Sequence, residues 1–251
     1  VLLHIPAVGC GAYWKWEGEG DMSLQDELSS LGSIALFAGL TADELSHIAS
    51  LLHRTGFSSG TNLFTVEQPG EVAYLILSGT IKIHVEQTDG SDVILAILGR
   101  GELVGEMSLV ENIGRSATAV TMEETAVAWI DRQAFQSCLA RMPTLSTNLL
   151  GILARRLRLA NEQIQSLATQ DVFGRVARQL LAFAREYGVP APNNGVTIPL
   201  RLTQSDLASL VGASRVRVNQ VLAHYQQRHY IGLEQYQITV YDREALAKRC
   251  V

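Results

Sequence analysis

The segment after Pro143 constrains this chain most. Leu150, Leu153, Leu157, Ala160, Ile164 and Leu167 follow one another at 3-4-3-4-3 spacing, the apolar repeat of a heptad in a helix of about 25 residues. At about 1.5 Å per residue such a helix is roughly 37 Å long. A stripe this narrow buries itself best against a copy of itself, so the spacing predicts a homodimer through these six positions. The alternative is a helix packed on the rest of its own chain. Arg155, Arg156 and Arg158 crowd the middle of the segment and weigh against simple core burial.

On either side of this helix the period changes. Leu24 to Leu52 reads as helical turns, with Thr41 and Glu44 at capping-box spacing. From Phe57 the apolar runs are short and β-prone: Tyr74 to Leu77, Ile81 to Val85, Val93 to Leu98. Gly70, Ser78-Gly79, Asp89-Gly90 and Gly99-Arg-Gly101 separate them. Strands of this kind, recurring every eight to twelve residues or so, predict an antiparallel barrel or roll over residues 57–131. Beyond the long helix, Asp171 can cap a helix from Val172 to Tyr187 that Gly188 and Pro190 end. A turn-rich connection over residues 188–195 then leads into a strand, Val196 to Leu200.

A chain of 251 residues has room for two modest domains. The elements predict an α+β chain divided into a disordered extension (1–22), an antiparallel β-roll with flanking helices (23–143), the dimerising helix (144–170) and a second domain (171–251). Hydrophobic residues make up 47% and charged residues 18%, and no window approaches the roughly 18 apolar residues of a membrane helix. The apolar start has no basic leader, so a soluble, cytoplasmic protein is expected. Cys10, Cys138 and Cys250 form no C-x-x-C pair and have no His at ligand spacing, which predicts neither a disulfide framework nor a metal site. The six His, at 4, 47, 53, 84, 224 and 229, suit no nucleophile–base set, so an enzyme is not expected.

Charge separates the two ends. The net charge is −5, but residues 171–251 carry ten Lys/Arg against six Asp/Glu, net +4, leaving net −9 for residues 1–170. A basic end on an acidic chain hints at a nucleic-acid partner. Within that end, Thr203-Gln204-Ser-Asp206 is a capping box opening a short helix, Val211-Gly212-Ala213 breaks it, and Ser214 caps a second helix. Two short helices joined by a Gly-containing turn form a helix-turn-helix, whose second helix can enter the major groove of double-stranded DNA. Arg215 and Arg217 in its first turn oppose the helix dipole, and a phosphate or a base would give them a reason. Arg215 matches guanine, Asn219 and Gln220 match adenine. Ile231 to Tyr241 alternates like a hairpin and reads as a wing, with Gln235 and Tyr236 at its tip able to touch sugar-phosphate. The alternative is a structural helix pair with solvated arginines.

Between two apolar strands lie Gly101-Glu-Leu-Val-Gly105-Glu106-Met107-Ser108-Leu109 and then Arg115-Ser116-Ala117. A Gly-rich turn admits an anion, Glu106 can accept from a ribose hydroxyl, and Arg115 and Ser116 can donate to phosphate. The same residues also allow a plain Glu106–Arg115 ion pair closing a β-turn.

These motifs together resemble the catabolite activator / fumarate-nitrate regulator family from about Ile34 to Tyr241. The resemblance rests on Gly105-Glu106 and Arg115-Ser116-Ala117, on Ala154-Arg-Arg-Leu157, on Asp171-Val-Phe-Gly-Arg175, and on Leu202-Thr203-Gln204 to Gly212-Ala-Ser214-Arg215. It implies a cyclic-nucleotide-binding β-roll, a long dimerisation helix and a winged helix-turn-helix. It also implies a ligand-responsive regulator acting as a homodimer on a two-fold operator, with RNA polymerase as eventual partner. By position, Glu106 would hold ribose, Arg115 and Ser116 phosphate, and Arg215 a guanine. Ala160-Asn161 stands where cAMP-responsive members carry a Thr-Ser pair facing adenine, so either cAMP or cyclic di-GMP is open as effector. In the latter case Arg158 and its neighbours would serve extra phosphate or a guanine edge. Val216 replaces a Glu that accepts from cytosine, which predicts a different operator with a thymine methyl at Val216. A constitutive DNA binder that has lost ligand control is the alternative. A haem or iron–sulfur sensor is disfavoured by the lack of clustered N-terminal cysteines.

Overall fold

The computed structural model of the chain describes residues 13–14, 24–88, 92–111, 113–192, 194–234 and 236–250. The chain divides into two compact units, Val1–Val85 with Ile97–Leu157, and Glu86–Ala96 with Arg158–Val251. Of the expected extension over residues 1–22, Tyr13–Trp14 forms a short strand, β1, and the remainder lies outside the described residues.

In the first unit, helix α1 (Leu24–Gly32), a 3₁₀ turn (Ala35–Phe37) and helix α2 (Ala42–Leu51) precede the strands. The Thr41 hydroxyl accepts from the Glu44 amide and the Glu44 carboxylate accepts from the Thr41 amide, closing the expected capping box. Strands β2 (His53–Phe57), β3 (Asn62–Phe64), β4 (Val72–Ser78), β5 (Ile81–Glu86), β6 (Asp92–Leu98, of which only Ile97 and Leu98 belong to this unit) and β7 (Leu103–Val104) lead to a short helix α3 (Glu106–Glu111). Strands β8 (Thr118–Thr121) and β9 (Thr125–Asp131) and helix α4 (Arg132–Arg141) follow, then the long helix α5 (Pro143–Thr169). One antiparallel sheet runs β1-β2-β9-β4-β7; in the other, β3, β8 and β5 lie side by side.

The continuous apolar run of β4 follows from burial on both faces. Val72, Tyr74 and Ile76 join one core with Phe57, Phe64 and Trp129. Ala73 and Leu75, pointing the other way, join a second core with Phe37, Ile48, Phe135, Leu145, Leu149 and Ile152. Helix α5 therefore carries two apolar faces. Leu145, Leu149 and Ile152 are buried, with Leu153 partly buried beside them, whereas Leu150 and Leu157 stay 67% and 64% exposed.

In the second unit the remainder of α5 is followed by α6 (Val172–Glu186), a strand pair β10 (Val189–Pro190) and β11 (Val196–Ile198), α7 (Gln204–Val211), α8 (Arg215–Gln227), the hairpin β12 (Ile231–Glu234) and β13 (Gln237–Val240), and α9 (Arg243–Ala247). The sheet order is β10-β11-β13-β12. Each helix start is capped by a side chain that accepts an otherwise orphan amide: Asp171 from Gly174, Thr203 from Asp206, Ser214 from Arg217, Asp242 from Ala245. Gly212 ends α7 with φ +60, a conformation a side chain would strain. Val176, Leu180, Leu207, Val218, Val221 and Tyr225 are buried, and the Tyr225 hydroxyl donates to the Phe173 carbonyl at 2.8 Å.

Candidate functional site

The turn from β7 into α3 and the loop before β8 are stitched together through Arg115. Its amide donates to the Gln68 carbonyl at 2.9 Å and its carbonyl accepts from the Glu67 amide at 3.0 Å, so the loop is clipped to the turn ahead of Pro69-Gly70. The side chain then runs inward and is only 5% exposed. Nη1 donates to the Gly105 carbonyl at 2.9 Å and Nη2 to the Val72 carbonyl at 2.6 Å. The guanidinium lies 4.1 Å above the centroid of the Phe64 ring, while Nε is buried without a partner. Gly105 sits at φ +86, where a Cβ would meet both the guanidinium and the Phe64 ring. Burial holds the Arg115 guanidinium below its ordinary pKa, with Tyr74 opposing. Burial likewise pushes the Tyr74 phenol up to about 12, with Arg115 pulling it back.

Glu106 opens α3 and is 3% exposed. The simple Glu106–Arg115 ion pair is not what forms: the Glu106 carboxylate accepts from Arg156 Nη1 of α5 at 2.7 Å. Arg156 Nη2 reaches Glu102 at 2.7 Å, Arg155 reaches the other Glu102 oxygen at 3.0 Å, and Arg156 also donates to the Leu103 carbonyl at 2.6 Å. Two of the three arginines that crowd the middle of α5 are thus spent on two buried carboxylates. Removing one member of such a cluster leaves a buried charge unmatched, typically about 3–5 kcal/mol.

The structure brings Gly105, Glu106 and Arg115 together in the first unit, with Ala117 buried and Ser116 exposed beside them. Met107 stands 48% exposed. Arg158 and Asn161 belong to the second unit, both exposed. A cyclic phosphate fits the cassette chemically. Arg115 is a buried cation for which no described residue supplies a carboxylate, it has a spare buried N–H, and at Gly105 no side chain blocks the approach. Glu106 keeps lone pairs for a sugar hydroxyl after its bond to Arg156.

Along α8 the predicted residues split. Arg215, Val216, Arg217 and Gln220 are exposed, Val216 at 68%. Arg217 Nη1 donates to Gln220 Oε1 at 3.0 Å, and its guanidinium lies 5.4 Å from the Phe173 ring. Arg215 has no hydrogen-bond or ion-pair partner among the described residues. Asn219 is half-buried and its Oδ1 is enclosed without a partner. Gln204 and Ser214 are exposed and Thr203 half-buried at the helix starts. Gln235 lies outside the described residues; its neighbour Tyr236 is 48% exposed and carries the Arg201 guanidinium 4.4 Å over its ring. Sequence reasoning missed Phe64, Glu102 and Arg201, and it offered Arg156 to the ligand where the structure pairs it with Glu102 and Glu106. Only Arg201 left a local signal, a basic residue just ahead of the Thr203 cap.

Along α5, Ala160 is exposed, and Ile164 and Leu167 are 66% and 45% exposed. Among the described residues no helix is long and apolar enough to cross a membrane.

Residues 54–142 match the cyclic nucleotide-binding domain and residues 174–249 the Crp-like helix-turn-helix domain. The chain is 36% identical over 219 residues to the CRP-like cAMP-activated global transcriptional regulator of Mycobacterium tuberculosis, covering 87% of this chain and 97% of that protein. It is 34% identical over 187 residues to the cyclic AMP receptor protein of Thermus thermophilus, covering 74% of this chain and 83% of that one. Among solved structures it is similar to the c-di-GMP responsive global regulator CLP of Xanthomonas campestris, with TM-score 0.66, 26% identity, and 80% and 99% of the two chains covered. With a buried cation in a nucleotide-binding roll and a capped helix-turn-helix carrying exposed arginines, this chain belongs to the CRP-like family of cyclic nucleotide-responsive, DNA-binding transcription regulators.

Proposed function

We propose that the effector is a cyclic nucleotide, cAMP or cyclic di-GMP, held at the cassette by Arg115 and Ser116 on phosphate and Glu106 on ribose. Gly105, Met107 and Ala117 shape the turn, and Arg158 and Asn161 are the candidate contacts to the base. The observation that carries this reading is Arg115 itself, a buried guanidinium whose in-plane neighbours are two carbonyls and whose Nε has none. Burying a charge is costly unless something of opposite sign meets it, and a cyclic phosphate does. The names of the two bacterial relatives support cAMP, and the solved CLP structure supports trying cyclic di-GMP beside it.

The protein works in the cytoplasm as a homodimer through Leu150, Leu153, Leu157, Ala160, Ile164 and Leu167, of which Leu150, Leu157 and Ile164 expose the most apolar surface. Residues 23–143 sense, 144–170 dimerise and 171–251 bind a two-fold operator, bringing RNA polymerase to it or keeping it away. Arg215 reads guanine and Val216 a thymine methyl. Asn219 and Gln220 complete the reading face, and Arg217, Thr203, Gln204, Ser214 and Gln235 position the domain on sugar-phosphate.

Calorimetric titration of the full chain with cAMP and with cyclic di-GMP tests the effector. Saturable binding of one of them, lost in Arg115→Ala, is expected. If neither binds, the chain is a constitutive DNA-binding regulator and the effector reading fails.

A further inference from the structure

Three contacts define the plane in which the Arg115 guanidinium lies. Two are in-plane bonds from Nη1 and Nη2 to the carbonyls of Gly105 and Val72. The third is a face: the Phe64 ring, at the end of β3, with its centroid 4.1 Å from the guanidinium carbon. Phe64 does not adjust to the arginine. It is 7% exposed, belongs to the core of the roll, and stacks on Tyr74 with ring centroids 6.2 Å apart and planes at 23°. A Cβ at Gly105 would meet both the guanidinium and the ring, so the pair fits there only because position 105 carries no side chain.

This support matters because Arg115 has other places to go. Glu106 and Glu71 lie close enough to act on it electrostatically, and a guanidinium free to rotate turns its fork toward a carboxylate. An aromatic face holds a guanidinium by its flat side without using any of its donors. The edge carrying the buried, unpartnered Nε is thereby kept for something else.

We propose that Phe64 is a positioning residue for the effector: its ring is the floor that fixes the plane of the Arg115 guanidinium and so presents the free edge to the ligand phosphate. The proposal rests on the reading of the cassette as the nucleotide site. It concerns affinity for the anionic part of the ligand and assigns Phe64 no contact with the base.

The test is a double-mutant cycle on the full chain, titrated calorimetrically with cAMP and with cyclic di-GMP. Phe64→Met keeps most of the volume and removes the π face. It is expected to weaken binding by about three- to tenfold, and to add no further loss in an Arg115→Ala background. Phe64→Tyr is expected to bind within about twofold of wild type, since it keeps the ring. Replacing Phe64 by difluoro- and then pentafluorophenylalanine drains the ring face of negative charge at nearly constant shape; affinity should fall stepwise. That series decides the matter if Phe64→Met fails to fold. Undiminished affinity in the fluorinated proteins, or an equal loss with and without Arg115, overturns the floor while leaving the cassette reading intact. Wild-type protein that binds neither nucleotide overturns the cassette reading, and the floor falls with it.

Discussion

The roll and the helix-turn-helix hold their arginines in opposite ways. In the roll, Arg115 is enclosed, two of its nitrogens are tied to carbonyls, its face is covered by Phe64, and the neighbouring Glu106 is matched by Arg156. On α8, Arg215 and Arg217 stand at the surface, one without a described partner and the other restrained only by Gln220 and the Phe173 ring. The difference suits the partners. A small anion gives few contacts, so each must be preorganised and desolvated to be worth anything. A DNA duplex supplies many phosphates, and surface charge in contact with its counterion atmosphere is enough.

Salt separates the two regions most sharply. Raising salt from 50 to 200 mM should cut operator affinity on the order of a thousandfold if the dimer meets six or more phosphates, while nucleotide affinity, set inside the roll, should change less than about threefold. Fluorescence anisotropy on a labelled operator and calorimetry on the nucleotide read the two slopes. Equal slopes would erase the contrast between an enclosed and an open site.

A charge in the α5 stripe comes next in size. Leu157→Glu sets like charges against each other across the proposed seam, and sedimentation velocity should show a monomer that no longer holds two half-sites. A dimer of unchanged stability would remove Leu157 from the interface. Within the roll, Arg115→Ala should cost about 1.5–3 kcal/mol of nucleotide affinity, at least roughly tenfold, because a charge-assisted partner is lost. On α8, Arg215→Ala should cost about 1–3 kcal/mol on the cognate operator and relax preference at one base pair of each half-site. Arg217→Ala, already engaged by Gln220, should cost less and weaken all sequences alike. A binding series on single-base-substituted operators at fixed salt distinguishes the two; a uniform loss for Arg215→Ala would make it a phosphate contact.

How legible each region was follows from how local its determinants are. The caps at Thr41, Asp171, Thr203 and Ser214 need only the right residue types within three positions, and each forms as read. The strand boundaries were marked by Gly70, Gly79 and Gly101 for the same reason. The cassette was legible as a set of residue types but not as a geometry. Glu106 and Arg156 stand 50 positions apart and Arg115 and Val72 43 apart, and nothing in local spacing says that they meet. Helix α5 mixed the two cases. Its heptad was plain, yet a second stripe, Leu145, Leu149 and Ile152, turns toward the roll and draws Leu153 partly with it. Spacing alone does not tell a helix with one apolar face from a helix with two. Strand β10 lay hidden in a segment read as turns, because two residues at Val189–Pro190 have too little period to show, whereas its partner β11 falls within the strand read over Val196 to Leu200.

The proposed coupling runs from an anion gripped by Arg115 to the exposed arginines of α8. Its most direct test is operator affinity, measured by anisotropy on a duplex selected from a random library by nucleotide-saturated protein, with and without that nucleotide, for wild type and Arg115→Ala. The nucleotide should tighten wild-type binding at least about tenfold, the usual scale of a coupling between sites, and leave Arg115→Ala unmoved. Wild-type affinity that is the same with and without the nucleotide would contradict it.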